Sequence, residues 1–271
     1  MYLRNCTLLI PIHQRNDIEK KFNKVINSIF KNTFIPKKIL IIIDGKIKNK
    51  FLLKILKYKK KIKIVYPKKK LGISKILNLG LSIIKTKWII RADGDDINHP
   101  TRFEEISKYF YKNFDLIGSF MCEINSSNEK IIRSVPVDYK SIKKFCKTRN
   151  PFNHPTVAFN RNTAVNLGGY PEIDFKEDYG LWVKFISKKK KIINIPKILV
   201  TSYIDKSFFD RRSGKQQLKS EFLLMKYLIK YRINGFINGF LIFILRSLFI
   251  LTSGLLKEFL YKNFFRIKKY S

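Results

Sequence analysis

Four short, nearly uninterrupted apolar runs, separated by stretches of helical periodicity, restrict this chain more than any other feature. They are TLLIPI at 7–12, ILIII at 39–43, IKIVY at 62–66 and WIIRA at 88–92. Strands that are apolar at successive positions, rather than at alternate ones, bury both faces, as parallel strands covered by crossover helices do. Between the first two runs, Ile18, Phe22, Val25, Ile26 and Ile29 recur at helical spacing over 17–32, which makes a βαβ unit. Further helices are expected over 47–58 and 73–84. Four alternations ahead of residue 93 indicate an α/β domain with a mainly parallel sheet flanked by helices.

Charge enters the argument next. The 271 residues carry 56 Lys and Arg against 20 Asp and Glu, a formal net charge of +36. A 45% hydrophobic content supplies a core, so a disordered basic tail is excluded. Phosphate neutralisation by cations drives non-specific nucleic-acid binding, but 44 of the basic residues are Lys and 12 are Arg, and they run through every segment. Arginine is the better reader of bases, and no zinc-finger spacing or RNP-like aromatic motif accompanies it, so nucleic acid is not an expected partner. An anionic membrane surface suits the charge better. Cys6, Cys122 and Cys146 have neither metal-ligand spacing nor an even count, which fits a reducing compartment. The opening MYLRNCTLLIPIH reads as a strand without a secretory apolar region, so a cytoplasmic location is expected.

Open α/β sheets bind ligands beyond the carboxyl ends of their strands. Asp44 and Asp93 stand at two such ends, and residues 45–92 between them contain no Asp or Glu. DGDD at 93–96 is therefore an abrupt acidic concentration in a basic background. Three carboxylates in four residues repel, and a bound cation or raised pKa values relieve the repulsion. An EF-hand-like loop would put Glu104 at its twelfth position, but Ile97 and Asn98 replace a ligand and the glycine, and a strand precedes the loop. A divalent metal held by DGDD remains the economical reading beside a plain solvated turn.

WIIRADGDD, followed by NPFNHPTVAFNR at 150–161, GGYP at 168–171 and EDYGLW at 177–182, resembles inverting family 2 glycosyltransferases of the GT-A fold, of the bacterial polysaccharide and lipopolysaccharide type. The likeness covers roughly residues 7–212. It implies a nucleotide-sugar donor, UDP-linked, and a bound Mn2+ or Mg2+ that offsets charge developing on the leaving diphosphate. By resemblance Asp95 ligates the metal, Asp93 contacts the ribose or the metal shell, and Asp96 helps at the same site. Asp44 matches a uracil or ribose contact, the alternative being an Asp-Gly turn. Pro11 would lie beside the base through its main chain, Gly72 and Asn78 match the nucleotide pocket, and Arg91 matches a basic residue ahead of DGDD.

Inversion requires a carboxylate to take the acceptor's proton. The resemblance gives that role to Asp178, with Glu177 orienting it or binding acceptor; the alternative is an acidic first turn of an ordinary helix. His154 and Trp182 fall on the acceptor side. Arg211 and Arg212, in FFDRRSG, can pair with the diphosphate from a closing loop or stand as solvated charge. No QxxRW follows EDYGLW, so a single transfer is expected rather than processive synthesis. The competing classes are a nucleotide-sugar-binding scaffold without turnover and a nucleotidyltransferase.

The catalytic domain is expected over 1–214, with a membrane-associating segment over 215–271. That segment holds GFINGFLIFILRSLFILTSGLL at 235–256, interrupted among charged types only by Arg246. An Arg in mid-membrane costs at least about 2.5–3.5 kcal/mol, so an interfacial or re-entrant helix pair is expected rather than a span. Such a segment places the protein peripherally on the inner face of the cytoplasmic membrane, where a glycan or polyprenyl-diphosphate-linked acceptor is met. A helical hairpin packed on the catalytic domain or across a dimer is the alternative.

Overall fold

The computed structural model describes residues 1–13, 18–45, 51, 62–204, 214–252 and 267–268. The apolar runs form β1 (Tyr2–His13), β2 (Ile35–Asp44), β3 (Ile62–Val65) and β4 (Trp88–Arg91), with α1 (Ile18–Phe30) and α2 (Ile73–Ile83) as crossovers. β1 pairs in parallel with both β2 and β4, and β3 continues the parallel set beyond β2. Apart from the buried Phe51, the helix expected over 47–58 lies outside the described residues.

The second half turns the sheet mixed. After β5 (Ile97–Asn98) and α3 (Arg102–Ser107) come β6 (Leu116–Ile124), β7 (Lys130–Arg133), α4 (Tyr139–Phe145), β8 (Ala158–Asn160), α5 (Arg161–Asn166), α6 (Glu177–Ser187) and β9 (Ile192–Tyr203). β8 runs antiparallel to both β4 and β6, which joins the parallel half to a second set in which β6 pairs with β9 in parallel. The order across the sheet is β10-β7-β6-β8-β4-β1-β2-β3, where β10 is Ile267–Lys268.

Strand side chains alternate between faces, so each apolar run feeds two cores. Leu8, Ile10, Ile39, Ile41 and Ile43 pack against Phe22, Val25, Ile26 and Ile29 of α1. Leu9, Leu40 and Ile42 point the other way, into a cluster with Ile76, Leu77 and Leu81 of α2 and Leu181, Trp182 and Phe185 of α6. Each such side chain contributes roughly 1.5–3 kcal/mol when fully buried, which fixes the strand register against slippage.

α7 (Lys215–Lys230) and α8 (Phe236–Leu251) form a helical hairpin, and α7 packs on α6. Leu224, Leu228 and Ile233 belong to the same core as Trp182, so apolar packing continues past residue 214. α8 runs unbroken over its 16 residues and takes α7 as its partner. Among the described residues no helix is long and apolar enough to cross a membrane. All three cysteines are buried and free.

Candidate active site

Strand register brings the candidate residues together. His13 pairs with Asp44 and Leu9 with Arg91, so β1, β2 and β4 deliver Pro11, Asp44 and the DGDD loop to one sheet end. Pro11 is buried, and β4 has stopped pairing with β1 at Leu9, two positions earlier. Asp44 is 1% exposed. Its Oδ1 accepts the N–H of Leu71 at 2.7 Å and its Oδ2 that of Gly72 at 2.9 Å. This fastens the entry to α2 onto the end of β2. Gly72 itself has φ +85°, a left-handed conformation that glycine adopts without steric cost, and no atom lies within 4 Å of where a Cβ would stand.

Two buried guanidinium groups support the acidic loop. Arg91, 3% exposed, donates to Oδ1 of Asp93 at 2.6 Å and to the carbonyl of Ala92. Arg102, wholly buried, donates to the carbonyls of Arg91 at 2.5 Å and Pro155 at 2.7 Å, and to Oδ1 of Asn98. Desolvation lowers the Arg102 pKa to about 9. Asp96 is buried beside Asp93 and Asp95; burial first, then those two charges, hold its pKa well above the ordinary range, against a Ser202 hydrogen bond and Arg91.

Among the described residues, no group of three or more His, Cys, Asp and Glu side chains is arranged to hold a metal. Asp93 is engaged by Arg91, Asp96 is buried at Ser202, and Asp95 is half-buried. The oxygen donors still fit Mg2+ or Mn2+, because such ions take one or two carboxylates and complete their shell with substrate phosphates and water.

The opposite wall comes from the NPFNHP segment, GGYP and α6. Asn150 Nδ2 donates to Asp178 Oδ2 at 2.6 Å, and the N–H of Tyr179 donates to Oδ1 at 2.7 Å. Desolvation raises the Asp178 pKa, while those two hydrogen bonds work against it. Glu177 is 8% exposed, its Oε2 has no hydrogen-bond partner among the described residues, and burial followed by the Asp178 charge pushes its pKa up to about 8. Both carboxyls occupy the first turn of α6, where the helix dipole favours their ionised forms. Tyr170 lies within electrostatic reach of Arg91, Asp93, Glu177 and Asp178.

His154 is half-buried, 3.2 Å from the Tyr170 hydroxyl through Nε2, and desolvation with Arg91 nearby keeps it neutral. Trp182 departs from its expected acceptor role. It is wholly buried among Phe152, His154, Phe159 and Phe185, so it shapes the floor of the site instead of touching a ligand. Asn78, expected at the nucleotide pocket, is tied to the GGYP turn. Its amide donates to the Tyr170 carbonyl at 2.9 Å and accepts the Tyr170 N–H at 2.8 Å, a clamp between α2 and the GGYP turn. Replacing Asn78 by Ala strands that peptide's donor and acceptor, and a loss of about 1–3 kcal/mol in denaturant-unfolding free energy is expected. Arg211 and Arg212 lie outside the described residues.

Sequence reasoning missed Asn150 and Arg102. Asn150 opens a motif already singled out, but its partner is 28 residues away. A buried Arg in the first turn of a short helix carries no local signal that separates it from a solvated one.

Comparison with known proteins agrees with this geometry. Residues 7–168 match the family model described as glycosyl transferase family 2. The chain is 36% identical over 205 residues to the UDP-Gal:alpha-D-GlcNAc-diphosphoundecaprenol beta-1,3-galactosyltransferase of Escherichia coli, covering 73% of this chain and 74% of that protein. In fold it is similar to S. aureus TarS 1–349 in complex with UDP-GlcNAc, with a TM-score of 0.65, 16% identity, and coverage of 89% and 72% of the two chains. It is likewise similar to the mannosyltransferase PcManGT of Pyrobaculum calidifontis in complex with GDP-Man and Mn2+, with a TM-score of 0.62, 12% identity, and coverage of 85% and 65%. The chain thus belongs to glycosyl transferase family 2 and is a glycosyltransferase.

Proposed function

We propose that the chain moves a single sugar, with inversion, from a UDP-linked donor to a lipid-linked or growing surface-glycan acceptor at the inner face of the cytoplasmic membrane. The observation that carries this reading is Asp178: half-buried, raised in pKa by desolvation, held by Asn150, and within electrostatic reach of Tyr170, as Arg91 and Asp93 are. A carboxylate in that state is a stronger base than one in water, while its two hydrogen bonds favour the ionised form.

The roles divide between the two walls. Pro11 and the Asp44–Gly72 junction border the space for a nucleoside, and Arg91 aligns Asp93 toward it. Asp95, with Asp93 beside it, would hold Mn2+ or Mg2+, which would supply neutralisation of the departing diphosphate. From the other side Asp178 takes the acceptor hydroxyl's proton while the hydroxyl oxygen attacks the anomeric carbon. Neutral His154, positioned by the Tyr170 hydroxyl, offers a hydrogen bond to the acceptor. Glu177, protonated to a higher pH than usual, limits charge repulsion at the base. The Escherichia coli relative is named for a UDP-galactose donor and a diphosphoundecaprenol-linked acceptor, which supports the choice of both classes.

Thermal unfolding in the presence of UDP, GDP, dTDP or CMP, each with Mn2+, Mg2+ or EDTA, tests the donor side. A ligand at about 100 times its Kd stabilises the folded state by about 2.7 kcal/mol. A rise in Tm with UDP that EDTA abolishes is expected. A folded protein that responds to none of the nucleotides under any metal condition would end the reading.

A further inference from the structure

α8 has 16 residues, about 24 Å of helix, against about 30 Å of bilayer hydrocarbon. One stripe of it, at Gly239 and Ile250, is buried, and at Gly239 a Cβ would come within 3.1 Å of Ile229 on α7. The other side is apolar and exposed: Phe236, Phe240 and Ile244 form one row at four-residue spacing, and Ile237, Leu241 and Leu245 the row beside it. A continuous apolar face of this kind marks an interaction surface.

Charge identifies what covers it. Within residues 214–252 the acidic residue is Glu221, which is 4% exposed and ion-paired to Lys176 at 2.6 Å and to Arg246 at 3.0 Å. Lys215, Lys219, Lys226, Lys230 and Arg232 are exposed, so the hairpin's outward charges are all positive. Lys226 lies over the ring of Phe222, which is itself exposed and meets Phe243 of α8, so a cation stands at the rim of the apolar face. A second copy would bring the same positive rim against itself. An anionic lipid surface complements both the apolar face and the rim.

We infer that α8 lies in the plane of an anionic bilayer surface with this face immersed. The inference deepens the membrane-side acceptor proposed above, but it stands on surface chemistry and is tested without donor, acceptor or turnover. It also has a geometric consequence. Arg246 of α8 pairs with Glu221 of α7, and Glu221 with Lys176 at the start of α6, so docking fixes the height of Asp178 above the lipid.

The test is co-sedimentation of the full chain with phosphatidylcholine vesicles, with and without phosphatidylglycerol. Binding to the phosphatidylglycerol vesicles, weakened by salt, is expected. The Leu241→Glu/Leu245→Glu variant, shown folded by circular dichroism, should lose about tenfold or more of that binding. Lys226→Glu/Lys230→Glu should weaken binding to anionic vesicles and leave the residual binding to neutral ones unchanged. No binding by the unaltered chain, or undiminished binding by the Leu241→Glu/Leu245→Glu variant, overturns the inference. So does a dimer in sedimentation equilibrium that this variant abolishes while vesicles are ignored, since the face would then belong to a second copy.

Discussion

Asp178→Asn is expected to lower kcat by about 10^2–10^4-fold, the range supplied by a positioned proton acceptor, while UDP still raises the Tm. The amide keeps the side chain's shape and removes only its ability to take a proton. It also costs some local order: Asn150 Nδ2 and the Tyr179 N–H both donate to this carboxylate, and an amide offers one oxygen to two donors. A stability loss of about 1–3 kcal/mol is thus expected alongside the rate effect, and the two are separable because nucleotide binding reports the folded fraction. In the unaltered enzyme the base must be ionised. Desolvation raises the Asp178 pKa, so kcat falls as pH drops through a value above the ordinary carboxylate range, and in the variant that acidic limb disappears. Turnover by Asp178→Asn at the normal rate would remove Asp178 from the chemistry.

The parallel half of this fold was legible because a strand buried on both faces leaves a continuous apolar word in the sequence. Leu8 and Leu9, or Ile41 and Ile42, feed opposite cores with equal apolarity. The acidic loop stood out for a similar reason: DGDD interrupts a long stretch without Asp or Glu. Contacts between distant segments left no such trace. Trp182 reads as part of EDYGLW, yet a position four residues past Asp178 on a helix that also carries Leu181, Phe185 and Ile186 turns it into the core. Asn78 reads as one more polar residue near a pocket, whereas its amide replaces backbone partners for Tyr170, 92 residues on. Arg246 reads as an expensive intrusion in an apolar segment because its counter-charge, Glu221, lies on another helix, 25 residues earlier.

That last pair makes the second large prediction. Glu221→Ala is expected to lower the unfolding free energy toward the lower end of about 3–5 kcal/mol, the usual cost of removing one partner from a buried ion pair. The lower end applies because the stranded cations keep some access to water: the Lys176 side chain is 19% exposed and the Arg246 side chain 23%. For a chain of this size a drop in Tm of roughly 10 °C follows. The loss should not stay in the hairpin. Lys176 directly precedes Glu177 and Asp178, and the Arg246 guanidinium stands 5.6 Å from the centre of the Tyr179 ring, so α6 loses two external supports at the turn that carries its carboxyls. Glu221→Gln, which keeps hydrogen-bonding oxygen and shape, should recover part of the stability, whereas Glu221→Ala combined with Arg246→Met should cost less than the sum of the two single changes. Urea titrations of the four variants measure each term. Strict additivity, or a Tm for Glu221→Ala indistinguishable from that of the unaltered chain, would mean that Glu221 bears no tension between the hairpin and the catalytic helix. Substantial coupling would identify the apolar hairpin as part of the catalytic domain's own foundation, which a detachable tail could not be.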